Sequence, residues 1–105
     1  MADEVTVTVA DVPERSRYEA TIGGELAGFA SYRDHEGARV FTHTKVLDAF
    51  EGHGVGSALA RGALDDVRAA GGRIAPLCPF IAGYIRRHGE YADLIDRPLL
   101  DQLSS

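Results

Sequence analysis

The sequence has a single cysteine, no tryptophan and no long apolar run. One cysteine, Cys78, cannot form an internal disulfide, and no spacing of cysteine and histidine resembles a zinc site, so we expect a reducing compartment and no metal. No stretch approaches the roughly 18 apolar residues of a membrane helix, and the first residues lack the basic and apolar regions of a signal peptide. These absences predict a soluble, cytoplasmic protein.

Positive charge is also scarce. The chain carries 11 basic and 16 acidic residues, a net charge of −5, and its one lysine is Lys45. This balance would repel a polyphosphate backbone, so we expect neither nucleic acid nor a membrane among the partners. The acidity would suit a cationic substrate such as an amine, although a general role in solubility explains it better. The length of 105 residues fits one domain, expected as a monomer or weak dimer.

The N-terminal half alternates apolar and polar residues with the period of a β-strand. Strands are expected over residues 5–9, 18–22, 26–32 and 38–47, with about seven residues, 10–16, between the first two. Gly23-Gly24 predicts a two-residue hairpin turn, and the polar residues 34–37 predict a second turn. On the last strand, strict alternation would place Phe41, His43 and Lys45 on one face.

The pattern then changes to that of a helix. Residues 54–70 place apolar side chains on one half of a helix, and Arg61 and Asp65 are spaced to pair on the other half. A short strand is expected over residues 73–77, followed by a helix that begins at Pro79 and ends near His88. The prediction is one α/β domain over residues 1–95, with a C-terminal tail, 96–105, that either docks as a short helix or frays.

The segment with the clearest chemical meaning joins the long strand to the first helix: Leu47-Asp48-Ala49-Phe50-Glu51-Gly52-His53-Gly54-Val55-Gly56-Ser57. The first amides of a helix lack intrahelical partners and carry partial positive charge, and glycines let a pyrophosphate approach the backbone. A tight connection without a ligand is the alternative reading. A dinucleotide fingerprint would need a glycine where Ser57 stands, and a P-loop would need a lysine at the helix start.

The order of elements, an antiparallel meander and then helix, strand and helix, resembles that of the GCN5-related N-acetyltransferases. That family's signature is Gln or Arg, two residues, Gly, one residue, then Gly or Ala. Gly54 and Gly56 match its two last positions, whereas Glu51 stands at the first position in place of Gln or Arg. A closer resemblance, to the minimal members of about 100 residues, rests on four segments in the same order: Phe41-Thr42-His43-Thr44, Gly52-His53-Gly54-Val55-Gly56, Pro76-Leu77-Cys78-Pro79-Phe80 and residues 84–91.

The resemblance implies a mixed, mostly antiparallel sheet, splayed open between the strands that end near Leu47 and Cys78. Acetyl-coenzyme A would lie in this opening, with its pantetheine arm on the amides near Val46 and Leu47 and its thioester near Cys78. The pyrophosphate would lie on residues Gly52, His53, Gly54, Val55, Gly56 and Ser57. Arg86 or Arg87 could meet the 3′-phosphate, although solvated charges at a helix end explain these arginines equally well.

Three side chains are candidates for catalysis, each with a structural alternative. Cys78, at a helix start, could accept the acetyl group transiently or only shape the thiol pocket, and a buried, inert cysteine is the alternative. His43 could act as the general base or be a hydrogen-bonded core histidine. Tyr84 stands where many acetyltransferases carry a tyrosine that protonates the departing thiolate, but its spacing equally fits packing beside Ile81 and Ile85.

The function expected from the resemblance is transfer of an acetyl group from acetyl-coenzyme A to an amine acceptor, directly or through Cys78. A non-catalytic module that binds coenzyme A is the alternative, because the short link between the first two strands leaves no room for helices that roof the acceptor site in larger family members. A protein-interaction domain that retained the fold is a third possibility.

Overall fold

The computed structural model describes residues 6–104. Strands and helices follow in the order β1 (Thr8–Val12), β2 (Arg17–Ile22), β3 (Glu25–His35), β4 (Ala38–Val46), α1 (Val55–Ala69), β5 (Arg73–Pro76), α2 (Pro79–Arg87) and α3 (Arg97–Ser104). Short 3-10 helices lie at Pro13–Arg15, Asp48–Phe50 and Gly89–Leu94. No helix in this part of the chain is long and apolar enough to cross a membrane.

The five strands form one sheet in sequence order. The first four pair antiparallel, and β5 pairs parallel to β4 after the crossover through α1. The expected α/β fold, a meander followed by helix, strand and helix, is therefore confirmed. The Gly23-Gly24 hairpin is also confirmed, since both glycines have positive φ angles, 59° and 84°.

The predicted position of the first strand is wrong by three residues. Residues 6 and 7 precede β1, which continues to Val12, while Val5 lies outside the described residues. Pro13–Arg15 then forms a 3-10 turn, so four residues, not seven, separate β1 from β2. The Val-Thr alternation fits a strand, but pairing with β2 is what fixes its limits.

The main core lies between one face of the sheet, the α1 face, and the two helices α1 and α2. All six apolar residues predicted for the buried side of α1 are buried: Val55, Leu59, Ala60, Ala63, Leu64 and Val67. They pack against Tyr18 and Phe41 of the sheet and Ile81 of α2. Burial of each such large side chain contributes about 1.5–3 kcal/mol, so this layer holds α1 and α2 on the sheet.

The C-terminal tail forms α3 and covers one end of the opposite face of the sheet. Leu99 is buried there against Ala38, Val40 and Ala75. The Asp96 amide donates to the Ile74 carbonyl (2.8 Å), and an Asp96 carboxylate oxygen accepts from the Leu99 amide (3.2 Å), which fixes the start of the helix. The remainder of the opposite face is left for solvent or a ligand.

Hydrogen bonds from tyrosines to aspartates join elements on the α1 face. Tyr18 donates to Asp66 (2.7 Å) and Tyr91 donates to Asp65 (2.6 Å), so α1 is fastened to β2 and to the segment after α2. The predicted Arg61–Asp65 pair does not form a direct salt bridge: Asp65 accepts from Tyr91 and Arg61 lies beside Tyr84, while the charge of Asp65 also contributes to raising the pKa of Arg61.

Candidate functional site

A β-bulge on β4 shapes the site. Phe41 is opposite Tyr32 and His43 is opposite Ser31, so Thr42 is an extra residue on β4. A bulge shifts the alternation of side chains by one position. Phe41 before the bulge and Thr44 after it therefore share the α1 face, where Thr44 contacts Cys78.

The bulge overturns the expected position of His43. His43 does not share a face with Phe41; its exposed ring lies on the opposite face of the sheet, 6.1 Å from the ring centre of Phe29. Sequence alternation could not show this because the inserted residue is polar and fits either face. A general base at position 43 would act on the opposite face.

The pairing of β4 with β5 ends at the same place. Phe41 and Pro76 are the last paired residues, and the amides of Leu77 and Cys78 both donate to the Phe41 carbonyl at 3.0 Å. From Thr42 onward β4 runs beside the end of β5 and the start of α2 without continuing the ladder. We refer to this opening, between residues 42–46 and residues 77–78, as the gap.

Backbone groups of Val46 point toward the gap. The Leu47 amide donates to the Ala27 carbonyl (2.8 Å) and the Leu47 carbonyl accepts from Phe50 (2.9 Å), so both polar groups of Leu47 are already used. The expectation of a free amide at Leu47 is therefore wrong. Val46 and Gly28 are the next partners along the two strands. Hydrogen-bonded and non-bonded pairs alternate in an antiparallel ladder, so the bond from Leu47 to Ala27 implies that the amide and carbonyl of Val46 point away from β3, toward the gap.

The N-terminus of α1 lies one short turn beyond Val46. Gly52 and Gly54 have φ angles of 89° and 74°, which favour glycine. The first helical bond is donated by Ala58 to the Gly54 carbonyl (3.0 Å), and no side chain caps the helix at Gly54. The three amides of residues 55–57 therefore have no acceptor within α1 and carry the positive end of the helix dipole.

The residues of the predicted phosphate loop differ in access. Gly52, His53, Gly54 and Ser57 are exposed, whereas Val55 and Gly56 are buried. Gly56 lies under Phe80 of α2, because a Cβ atom at residue 56 would lie 2.7 Å from the ring. A side chain at residue 56 would therefore require the partly exposed Phe80 ring to move.

Arg61 of α1 and Arg87 of α2 are both exposed. Arg87 lies seven residues after Phe80, two turns along the same side of α2, and its guanidinium lies over Gly83. Arg61 lies one turn after Ser57 on α1, and its contact with the Tyr84 hydroxyl raises the pKa of Arg61. The sequence predicted Arg61 only as a partner of Asp65, because Tyr84 is distant from it along the chain.

Cys78 lies at the floor of the gap. It is 3% exposed, and its sulfur is 3.2 Å from the Thr44 hydroxyl oxygen across the gap. The Cys78 carbonyl accepts from Ala82 (3.0 Å) and so begins α2. Thr44, which the sequence did not single out, is brought to Cys78 by the bulge.

Tyr84 is buried within the main core, 3% exposed. Its ring stacks on His88, with ring centres 4.1 Å apart, and lies 6.2 Å from the ring of Tyr91. Ile81 and Ile85 belong to the same cluster, as the packing alternative predicts. Packing accounts for the burial of Tyr84, and its role as a proton donor stays a prediction. Among residues 6–104, no group of His, Cys, Asp and Glu side chains could hold a metal ion.

A comparison with known protein families finds one family model that matches most of the chain. The family model described as GCN5-related N-acetyl-transferase matches residues 17–94, from the start of β2 to the segment after α2. The matched range includes the bulge, the gap, the glycine turn and Cys78. No curated protein matches the sequence.

Proposed function

Because the chain belongs to the GCN5-related N-acetyltransferase family, we propose that it binds acetyl-coenzyme A in the gap and transfers the acetyl group to an amine. The observation that carries the proposal is the adjacency of two sets of backbone donors: the outward-facing amide of Val46 and the uncapped first turn of α1. Open strand edges bind extended amides, and helix N-termini bind phosphates.

The residues present fit the parts of acetyl-coenzyme A. The amides of residues 55–57 would hold the pyrophosphate, with the exposed backbone of Gly52, His53 and Gly54 beside it. The amide and carbonyl of Val46 would pair with the pantetheine arm, and Arg87 would meet the 3′-phosphate. Leu47 would contribute at most through its side chain, because its amide and carbonyl are already bonded. Cys78 and Thr44 would line the thioester end.

When bound, acetyl-coenzyme A supplies an activated acyl carbon whose bond to sulfur is exchanged for a bond to the amine nitrogen. In this proposal the His43 imidazole accepts the proton that the amine loses. The Tyr84 hydroxyl, beside Arg61, gives a proton to the departing sulfur. Cys78 shapes the floor of the gap, because a buried thiol bonded to Thr44 is a poor candidate for an attacking group.

The assignment of His43 as base gives the first test. A glutamine at this position keeps a polar side chain of similar size but cannot accept the proton from the amine. His43→Gln should therefore lower kcat/KM by about 10²- to 10⁴-fold, the usual contribution of a general base. Labelled acetyl-coenzyme A and a panel of amines and peptides would measure this loss.

His35→Gln is the matched control, because His35 is also exposed on the sheet but lies at the distant end of β3 beside Glu36. Its kcat/KM should remain that of the wild type. An unchanged kcat/KM in His43→Gln would remove the base assignment. Binding of acetyl-coenzyme A with no turnover on any amine would instead favour the non-catalytic module.

A further inference from the structure

The face of the sheet opposite α1 carries a group of basic side chains around one aromatic ring. The register places Arg17 of β2, Phe29 and Arg33 of β3, and His43 and Lys45 of β4 on this face. We call these five residues the basic sheet face. Phe29 and Lys45 are direct cross-strand partners, and the Arg17 guanidinium lies 4.3 Å from the centre of the Phe29 ring.

This face is accessible over most of its area. Arg33, His43 and Lys45 are exposed, and Phe29 is half-buried between Arg17 and His43. Helix α3 covers the other end of the same face, where it packs on Ala38, Val40 and Ala75.

The charge of the basic sheet face is opposite to that of the whole chain. Among the strand residues described on this face, the one carboxylate is Glu19, which already accepts from Arg15 (2.9 Å) and Arg17 (2.8 Å). Asp11, Asp65 and Asp66 lie on the α1 side, where each accepts from a tyrosine. Three of these four carboxylates therefore lie away from the basic sheet face, and the fourth is already paired with Arg15 and Arg17.

Local charge should decide what binds here. At physiological salt, charges separated by more than about 8 Å are largely screened, so a ligand on the basic sheet face responds mainly to its own surface. The negative net charge of the chain would attract a cationic acceptor, whereas the positive charge of the basic sheet face would attract an anionic one.

The size of the face favours a polypeptide over a small amine. Phe29 and Arg33 are four positions apart on β3, which corresponds to about 13 Å along a strand. A ligand that contacts both Phe29 and Arg33 must therefore span about four residues of extended chain.

The face also leads to the gap. His43 lies on it, and the next residue, Thr44, contacts Cys78 on the other side of β4. A ligand amine held beside His43 would thus lie at the edge of the gap.

We propose that the basic sheet face docks the acceptor and that the acceptor is an acidic polypeptide segment bearing the reactive amine. This inference rests on the proposed function and adds the class of the substrate. Carboxylates of the segment pair with Arg33, Lys45 and Arg17, and an apolar side chain packs on Phe29.

The test uses two fluorescein-labelled peptides of equal length with a free N-terminal alanine, one alternating Glu and Ser and the other alternating Arg and Ser. Fluorescence anisotropy measures binding in the presence of coenzyme A, and labelled acetyl-coenzyme A measures transfer. The acidic peptide should bind at least about 10-fold more tightly than the basic one, which corresponds to about 1.4 kcal/mol from several exposed pairs.

Charge-reversal variants distinguish the effect of the basic sheet face from the effect of the net charge of the chain. Lys45→Glu and Arg33→Glu should each weaken binding of the acidic peptide about 5-fold and strengthen binding of the basic peptide. Arg97→Glu, at the exposed start of α3, makes the same change in net charge and should leave both affinities unchanged. All three residues are exposed, and circular dichroism would show that the variants fold.

Four results would each overturn the proposal. The two peptides could bind equally, or neither peptide could bind. Arg97→Glu could change the affinities as much as Lys45→Glu and Arg33→Glu do, or a labelled single-stranded oligonucleotide could bind more tightly than the acidic peptide. A calorimetric titration with acetyl-coenzyme A, run in parallel, reports separately on the proposed function.

Discussion

At the scale of single residues, Thr42 and Cys78 decide most of the site's geometry. Thr42 is the extra residue that turns His43 to one face of β4 and Thr44 to the other. Cys78 then meets Thr44 across the gap at 3.2 Å. The candidate base and the candidate thiol consequently lie on opposite faces of one strand, and an acceptor amine and the acyl donor would approach from opposite sides.

The burial of Cys78 leads to a prediction about the route of transfer. Cys78→Ala should keep kcat/KM within about 3-fold of the wild type, because a thiol that is inert and buried makes no transition-state contact that alanine removes. Loss of the packed sulfur should lower the free energy of unfolding by about 1 kcal/mol. Mass spectrometry after mixing with labelled acetyl-coenzyme A should find no acetylated protein.

Thr44→Val serves as the companion variant, since it removes the hydroxyl beside the sulfur and leaves Cys78 in place. Two results together would establish the covalent route instead. The wild-type chain would carry acetyl label that Cys78→Ala lacks, and Cys78→Ala would lose more than 100-fold in activity, about 2.7 kcal/mol of transition-state stabilisation.

The sequence predicted the residues of this site better than their arrangement. Cys78 at a strand end and the glycines before α1 could be recognised from local pattern, because a turn and a helix start depend on neighbouring residues. The bulge could not be recognised, because Val40, Thr42, Thr44 and Val46 keep an apparent period of two through it. Only pairing with β3 reveals that Thr42 is unmatched.

At the scale of elements, α1 is the most predictable part of the fold. Its apolar residues follow a helical period without interruption; Gly54 immediately precedes the helix, and Gly71 follows its C-cap residue, Ala70. The partners on its polar side were less predictable. The sequence suggested a pair between Arg61 and Asp65, whereas α2 and the segment after it bring Tyr84 and Tyr91 to these residues. Contacts of long sequence separation take precedence over neighbours on one helix here.

The bond between α1 and the segment after α2 predicts a dependence of stability on alkaline pH. The hydrogen bond to Asp65, together with burial, raises the pKa of Tyr91 from 10.0 to about 12. The neutral phenol is therefore favoured by folding. Its stabilising effect is complete below about pH 10 and is lost as the pH rises to about 12.

Tyr91→Phe should lower the free energy of unfolding at neutral pH by about 1 kcal/mol, the usual net value of one hydrogen bond. It should also make the decline of stability between about pH 10 and pH 12 shallower, as measured by urea denaturation at each pH. Asp65→Asn should show part of the same change, because it keeps an acceptor but removes the charge. An identical decline in all three proteins would show that this bond does not set the alkaline limit.

At the scale of the whole molecule, chain length predicted one domain and periodicity predicted the fold class, but neither predicted the distribution of charge. The order of strands and helices, read from periodicity and turns, matches the observed sheet. The net charge of −5 suggested a cationic substrate, yet the basic sheet face has the opposite sign. Which face each charged residue occupies depends on register and bulges, and a total charge contains no information about either.

The proposed binding of acetyl-coenzyme A depends most on the uncapped N-terminus of α1, and Ser57→Glu tests this dependence directly. A glutamate at the third position of a helix interacts favourably with the positive end of the helix dipole and stabilises the fold by about 0.3–1 kcal/mol. The thermal stability of the variant should therefore equal or exceed that of the wild type. The same carboxylate would stand where the pyrophosphate is expected and repel it. Ser57→Gln is the matched neutral control.

Isothermal titration of acetyl-coenzyme A into the three proteins is the deciding measurement. We expect saturable heat for the wild type and Ser57→Gln, and at least about 10-fold weaker binding, or 1.4 kcal/mol, for Ser57→Glu. No heat with folded wild-type protein, or equal affinity in a stable Ser57→Glu variant, would contradict the assignment of this helix start as the phosphate site.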